Sequence, residues 1–247
     1  MEVHTHSHTA RKKWTHYFWE FLMLFLAVFC GFLAEYKLEQ TIERHREKEY
    51  MVSLVRDLKN DIHGINEAIK NKSRRIALAD SIFWLFEKKD YQNTSADLYF
   101  FGRSLGFRSY FNHNDGTIEQ LKNAGGFRLI KKGNVVDSIQ SYINLVRDEL
   151  RLQELEESQT IDYRRSMSRV FDALVFNKMY TSKEALTIKR LKFNPALVSY
   201  DKLDINDLNM KILVTKGNRL SQIQLLKQLL YTAAALIELI QKEYHLE

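Results

Sequence analysis

The chain has 247 residues, 45% hydrophobic and 12% aromatic, which are the proportions of a folded protein rather than a disordered one. Lys and Arg number 37 against 31 Asp and Glu, and the two signs are interspersed; the densest basic run, Lys70–Arg75, has no interleaved aromatics, which excludes a single-strand nucleic-acid binder. The one cysteine, Cys30, excludes a disulfide framework.

In chain order, residues 1–13 form a short polar tail ending in Arg11-Lys12-Lys13. His4, His6 and His8 alternate within it, the density of imidazoles that chelates a transition metal; a flexible tail supplies neither fixed geometry nor supporting partners, so no metal site is assigned there. Residues 14–34 follow, 21 in number, with Glu20 as the one formal charge. At about 1.5 Å per residue this length covers the roughly 30 Å apolar core of a bilayer. The fully uncharged part, Phe21–Ala34, is 14 residues, which is also the length of a signal-peptide core. Cleavage is not expected, because a cut after Ala34 or Gly31 would leave Phe32 or Phe29 where a small residue belongs. Trp14, Tyr17 and Trp19 mark one interface and Tyr36 the other. Glu20, near the first edge, is expected at the headgroup level rather than in a membrane-embedded role. The basic block places the N-terminus in the cytoplasm and the long C-terminal part outside it.

Residues 35–50 are rich in Glu, Arg and Lys and predict a charged helical stalk. From Met51 apolar residues recur at Leu54, Leu58, Ile62, Ile65, Ile69, Ile76, Ala79, Phe83 and Phe86, a heptad seam that only Lys72 interrupts. Residues 96–108 predict a shorter helix. Asn114-Asp115-Gly116 is a turn, and Thr117 with Gln120 has the spacing of a capping box that opens a short helix stopped by Gly125-Gly126. His113, Asp115, Arg128 and Lys131 cluster around it and, with free amides after Thr117, suggest an anion pocket; backbone geometry and surface charge explain the same residues. The aromatics Phe83, Trp84, Phe86, Tyr99, Phe100, Phe101, Phe107, Tyr110 and Phe111 are expected in the core.

Asn134 predicts the cap of a second long helix, with Val135, Ile139, Tyr142, Val146, Leu150, Ile161, Val170, Phe171 and Leu174 on its apolar face, polar in the middle at Gln153 and Glu157, and antiparallel to the first. Residues 177–203, around Pro195, predict a loop with a short helix or two. A last helix is expected over 219–244, with Leu220, Ile223, Leu230, Ala234, Ile237 and Ile240 inward. Lys227 and Glu238 interrupt its apolar run, which makes it a bundle helix rather than a second span.

The segments Lys13–Phe21, Gly31–Glu35 and Thr117–Ile130 resemble uncharacterised single-pass membrane proteins of Bacteroidota, which share a short basic tail, one N-terminal span and a long charged helix. The resemblance covers most of the chain and implies an address and a fold, not an activity.

The sequence therefore predicts an all-α protein: a tail (1–13), a transmembrane helix (14–34) continuing into a stalk (35–50), and an elongated antiparallel helical bundle (51–247). No residues have the spacing of an acid, base or nucleophile, so no catalytic, cofactor-binding or metal site is assigned. The expected role is structural, through self-association or another envelope protein at the inner membrane. The alternative is an extracytoplasmic ligand-sensing domain that signals through a membrane partner.

Overall fold

The structure, a computed structural model, describes residues 14–123, 125–181 and 187–246; Arg11-Lys12-Lys13 and His4, His6 and His8 lie outside them. The fold is all-α. Six helices follow in order: α1 (Trp14–Lys88), α2 (Tyr91–Leu105), α3 (Gly116–Asn123), α4 (Gly133–Val170), α5 (Ala173–Lys178) and α6 (Lys202–Tyr244), with a 3-10 turn at Gly126–Arg128. Among the described residues no strand forms, and one isolated bridge joins Tyr180 to Ile188. A chain with one proline and nine glycines has few places where a helix must stop, and α1 runs for 75 residues across Gly31 and Gly64.

Two compact units divide the chain, Met1–Tyr50 and Met51–Glu247. In the first, the apolar side chains of α1 face outward: Trp14 is 81% exposed, Phe21 67%, Met23 68% and Leu24 71%.

In the second unit the remainder of α1, with α4 and α6, makes the bundle. Asp61 of α1 meets Tyr142 of α4 and Lys72 meets Glu156, so α4 runs in the same direction as α1. α6 runs against α4, with Asp207 at Ser166, Arg219 at Glu156 and Glu243 at Asn134. The antiparallel member of the bundle is thus α6, whereas α4, expected to oppose α1, does not. The cause is the intervening chain: α2 packs beside the end of α1, where Arg75 donates to the Ser104 carbonyl, and residues 114–117 have returned to Asp57 and Asp61 before α4 begins.

Several ends differ from the sequence reading. α6 starts at Lys202, far ahead of residue 219, because the Asp201 carboxylate accepts from the amides of Leu203 and Asp204 at 2.7 and 3.3 Å. α4 starts at Gly133 with Lys132 as its capping residue; Asn134 is already in the first turn, its amide reaching Glu243. The loop before α6 is helix-free in its described part and tied to α2, since Asn194 accepts from the Ala96 amide and Tyr99 donates to the Ala196 carbonyl. Gly125 holds φ 65°, and a Cβ on Gly126 would meet the Leu121 backbone at 3.1 Å, so this pair of glycines meets both a positive φ and a close approach.

Candidate functional site

The buried stripe of α1 is rotated from the expected seam. It passes through Met51, Leu54, Leu58, Asp61, Ile65, Ala68, Lys72, Ala79 and Ile82, while Ile62, Ile69 and Ile76 lie only half-buried beside it. Lys72, the residue that broke the apolar pattern, is a core position with no exposure. The same displacement occurs on the other two helices. In α4, Glu149, Gln153, Glu156 and Thr160 are buried while Leu150 is 39% and Ile161 40% exposed; in α6, Arg219 and Gln222 are buried and Leu220 is 51% exposed.

These residues form a polar belt across the bundle. On its α1-terminal side lies an apolar core of Ile82, Leu98, Tyr99, Val170, Phe171 and Leu208, and on the other side lie Leu54, Leu58, Leu121, Val135, Ile139 and Ile240. Glu156 is the hub. Its carboxylate accepts from Lys72 Nζ at 3.0 Å, Arg219 Nε at 2.7 Å and Gln222 Nε2 at 3.0 Å. Burial raises the Glu156 pKa, but Lys72 and Arg219 outweigh it and the net shift is downward. Gln153 exchanges both its amide groups with the Phe111 backbone, at 3.0 and 3.2 Å, and fastens the loop after α2 to α4.

Glu149 is different. It has no exposure, neither carboxyl oxygen has a hydrogen-bond partner, and burial pushes its pKa up to about 8, with Lys72 opposing and Glu156 adding to the rise. The belt therefore sets two basic side chains, Lys72 and Arg219, beside the Glu156 carboxylate and a Glu149 carboxyl that burial favours in its neutral form. The Arg75 guanidinium is depressed to about 10 by burial and then by Arg219. Its two terminal nitrogens bind the carbonyls of Ser104 at 3.0 Å and Arg108 at 3.2 Å, where the α2 dipole favours a cation.

A second constellation sits at α3. Thr117 lies in the first turn of α3, not at its cap, and Asp57 of α1 takes both its amide at 3.2 Å and its hydroxyl at 2.5 Å. Asp61 accepts from the Asn114 amide and side chain, both at 2.7 Å, and from Tyr142 at 2.5 Å. Burial raises the Asp61 pKa against those hydrogen bonds, and it raises that of Tyr142 as well. The amides expected to receive an anion are those after Thr117; Asp57 holds that of Thr117 itself, and of those that follow it the Glu119 amide is taken by the Asp115 carbonyl. Of the four residues grouped with it, Asp115 gives its carbonyl to Glu119 at 2.8 Å, Arg128 closes the 3-10 turn, and His113 lies where it lowers the Asp61 pKa; Lys131 is exposed.

Of the aromatic group, Phe86, Tyr99 and Phe111 are buried, Phe83, Phe100, Phe101 and Phe107 are half-buried, and Trp84 and Tyr110 are 52% and 46% exposed. Among the described residues no three His, Cys, Asp or Glu side chains gather as a metal ion requires.

Among the described residues two helices are long and apolar enough to cross a membrane. The best window of α1 has a mean hydropathy of 2.0 and none of it is buried; that of α6 reaches 1.4 and a third of it is buried. Leu226, Leu229, Ala233, Leu236 and Ile240 of α6 are core residues. On α1, His16 pairs with Glu20 at 3.4 Å, and Phe21, Phe25 and Phe29 stack successively at 6.3 and 5.9 Å. No family model, no curated protein and no solved structure matches the chain.

Proposed function

We propose that residues 14–34 anchor the protein in the inner membrane by a single pass, N-terminus in the cytoplasm, and that residues 51–247 serve as an extracytoplasmic interaction domain without catalytic activity. The observation that carries this reading is the apolar window of α1, none of whose residues is buried among the described residues. Apolar surface so continuous is stable only where another apolar phase meets it, and its length and interfacial aromatics suit a bilayer. α6 is left out of the membrane because its Leu226, Leu229, Ala233, Leu236 and Ile240 are used in the bundle core. The non-catalytic assignment is supported by the belt itself, where the Glu156 carboxylate is engaged by Lys72 and Arg219 in the interior. The likeness of Lys13–Phe21 and Thr117–Ile130 to single-pass membrane proteins of Bacteroidota accords with the same assignment.

The test is topology. A reporter active only outside the cytoplasm, fused to the C-terminus, is expected to be active, and protease is expected to reach the domain in spheroplasts. An inactive fusion and a protected domain would reverse the orientation and place the bundle in the cytoplasm.

A further inference from the structure

A cleft of about 430 Å³ opens on the bundle where the end of α1, the start of α2 and the first turns of α6 come together. That volume falls within the roughly 300–1,000 Å³ of small-molecule sites. Its wall is aromatic. Phe83 and Phe86 line it from α1, the rings of Tyr91 and Tyr200 lie 5.3 Å apart, and Phe86 meets Tyr91 edge-on at 6.4 Å.

Charges stand around this wall without partners. Glu87, Lys89 and Lys202 all line the cleft, and among the described residues none of the three makes an ion pair or a side-chain hydrogen bond. Asn209 lines it as well, with an amide oxygen that is buried and unpaired. Other charged residues of the bundle do pair, as Lys132 does with Glu243 and Arg190 with Asp97. Lys89 holds φ 55°, the left-handed region that glycine enters freely and a side-chain-bearing residue enters at a cost. Lys89 directly follows α1, where helices commonly enter this region, as His245 does after α6.

The three chemistries together describe a ligand. Two ammonium groups suit a carboxylate, Glu87 with the Asn209 amide oxygen suits an ammonium, and four aromatic rings suit an apolar body. We propose that this cleft binds a small zwitterion of the amino-acid class with an apolar or aromatic side chain. The inference rests on residues 83–209 alone and does not depend on the membrane reading.

The full chain in detergent micelles would be titrated calorimetrically with L-leucine, L-methionine and L-phenylalanine, and with benzoate and phenethylamine as probes lacking one charge. Saturable binding of at least one amino acid is expected, with benzoate and phenethylamine at least tenfold weaker. Lys202→Gln and Glu87→Gln should each weaken the amino acid at least tenfold, and Lys227→Gln, an exposed change elsewhere on α6, should not. Lys89→Gly separates function from structure: it should raise the thermal midpoint by relieving the backbone while weakening binding. The proposal is overturned if none of the three amino acids binds, if benzoate or phenethylamine binds as tightly as they do, or if Lys202→Gln and Lys89→Gly bind like the parent.

Discussion

Glu149 carries a carboxyl with no partner and no exposure, and its pKa of about 8 stands well above the unfolded value of 4.5. Between those values the folded chain holds a proton that the unfolded chain has lost, so this group's contribution to stability is greatest below pH 4.5. It declines as pH rises through the window and is level again above about 8. Glu156, shifted downward, acts in the opposite sense: its contribution is present above its unfolded pKa and is lost as the pH falls towards the folded one. Glu149→Met, which replaces a desolvated carboxyl by an apolar chain of similar length, should stabilise the protein by about 1–3 kcal/mol at pH 8 and by less at pH 5. Thermal midpoints of the two proteins at both pH values measure this, and a difference that is the same at each would contradict the shifted pKa. At α3, Asp57→Ala removes the acceptor for the Thr117 amide and hydroxyl and should cost about 1–3 kcal/mol. Neither role was legible in the sequence. An aspartate inside a long helix gives no sign that its carboxylate caps another helix 60 residues away.

At the scale of the helix, the periodicity of three and four found the helices but set their inward faces wrongly by about one residue in places. On α1 the apolar reading chose Ile62 and Ile69, whereas Asp61, Ala68 and Lys72 lie inward; on α6 it chose Leu220, whereas Arg219 is 1% exposed. An apolar pattern cannot register a polar residue as interior, because what makes Lys72 and Arg219 tolerable in the core is Glu156 on a different helix. Leu58 and Ile65, on which the two readings agree, are at 1% and 0% exposure, and Leu58→Asp or Ile65→Asp should cost about 4 kcal/mol or more and collapse the bundle. Leu150→Asp, at a site the sequence placed inside and the structure places outward, should change stability by less than about 1 kcal/mol. Arg219→Met leaves Glu156 short of one of its two cations and should cost about 3 kcal/mol, near the lower end for a broken buried pair. Circular dichroism melts of the four variants rank these effects directly, and a Leu150→Asp protein as unstable as Leu58→Asp would return the seam to its sequence position.

For the whole molecule, the distribution of exposed apolar surface governs behaviour. If the window of α1 is membrane-facing, the protein should remain in the membrane pellet after alkaline carbonate extraction. Leu24→Arg with Phe25→Arg should release it or leave it aggregated, since each centrally placed arginine costs about 2.5–3.5 kcal/mol on insertion. Retention of that double variant in the pellet would mean that another segment holds the protein there. The all-α class, the apolar stretch at residues 14–34 and the two glycines after α3 were determined by the sequence alone. They depend on local properties: a lack of prolines, an uninterrupted apolar composition and residues that tolerate positive φ. The shared direction of α1 and α4, the early start of α6, the polar belt around Glu156 and the cleft at Lys89 were decided only by tertiary structure. Each of these joins side chains far apart in the chain, and whether a buried charge or a helix end is satisfied depends on partners that no local pattern names.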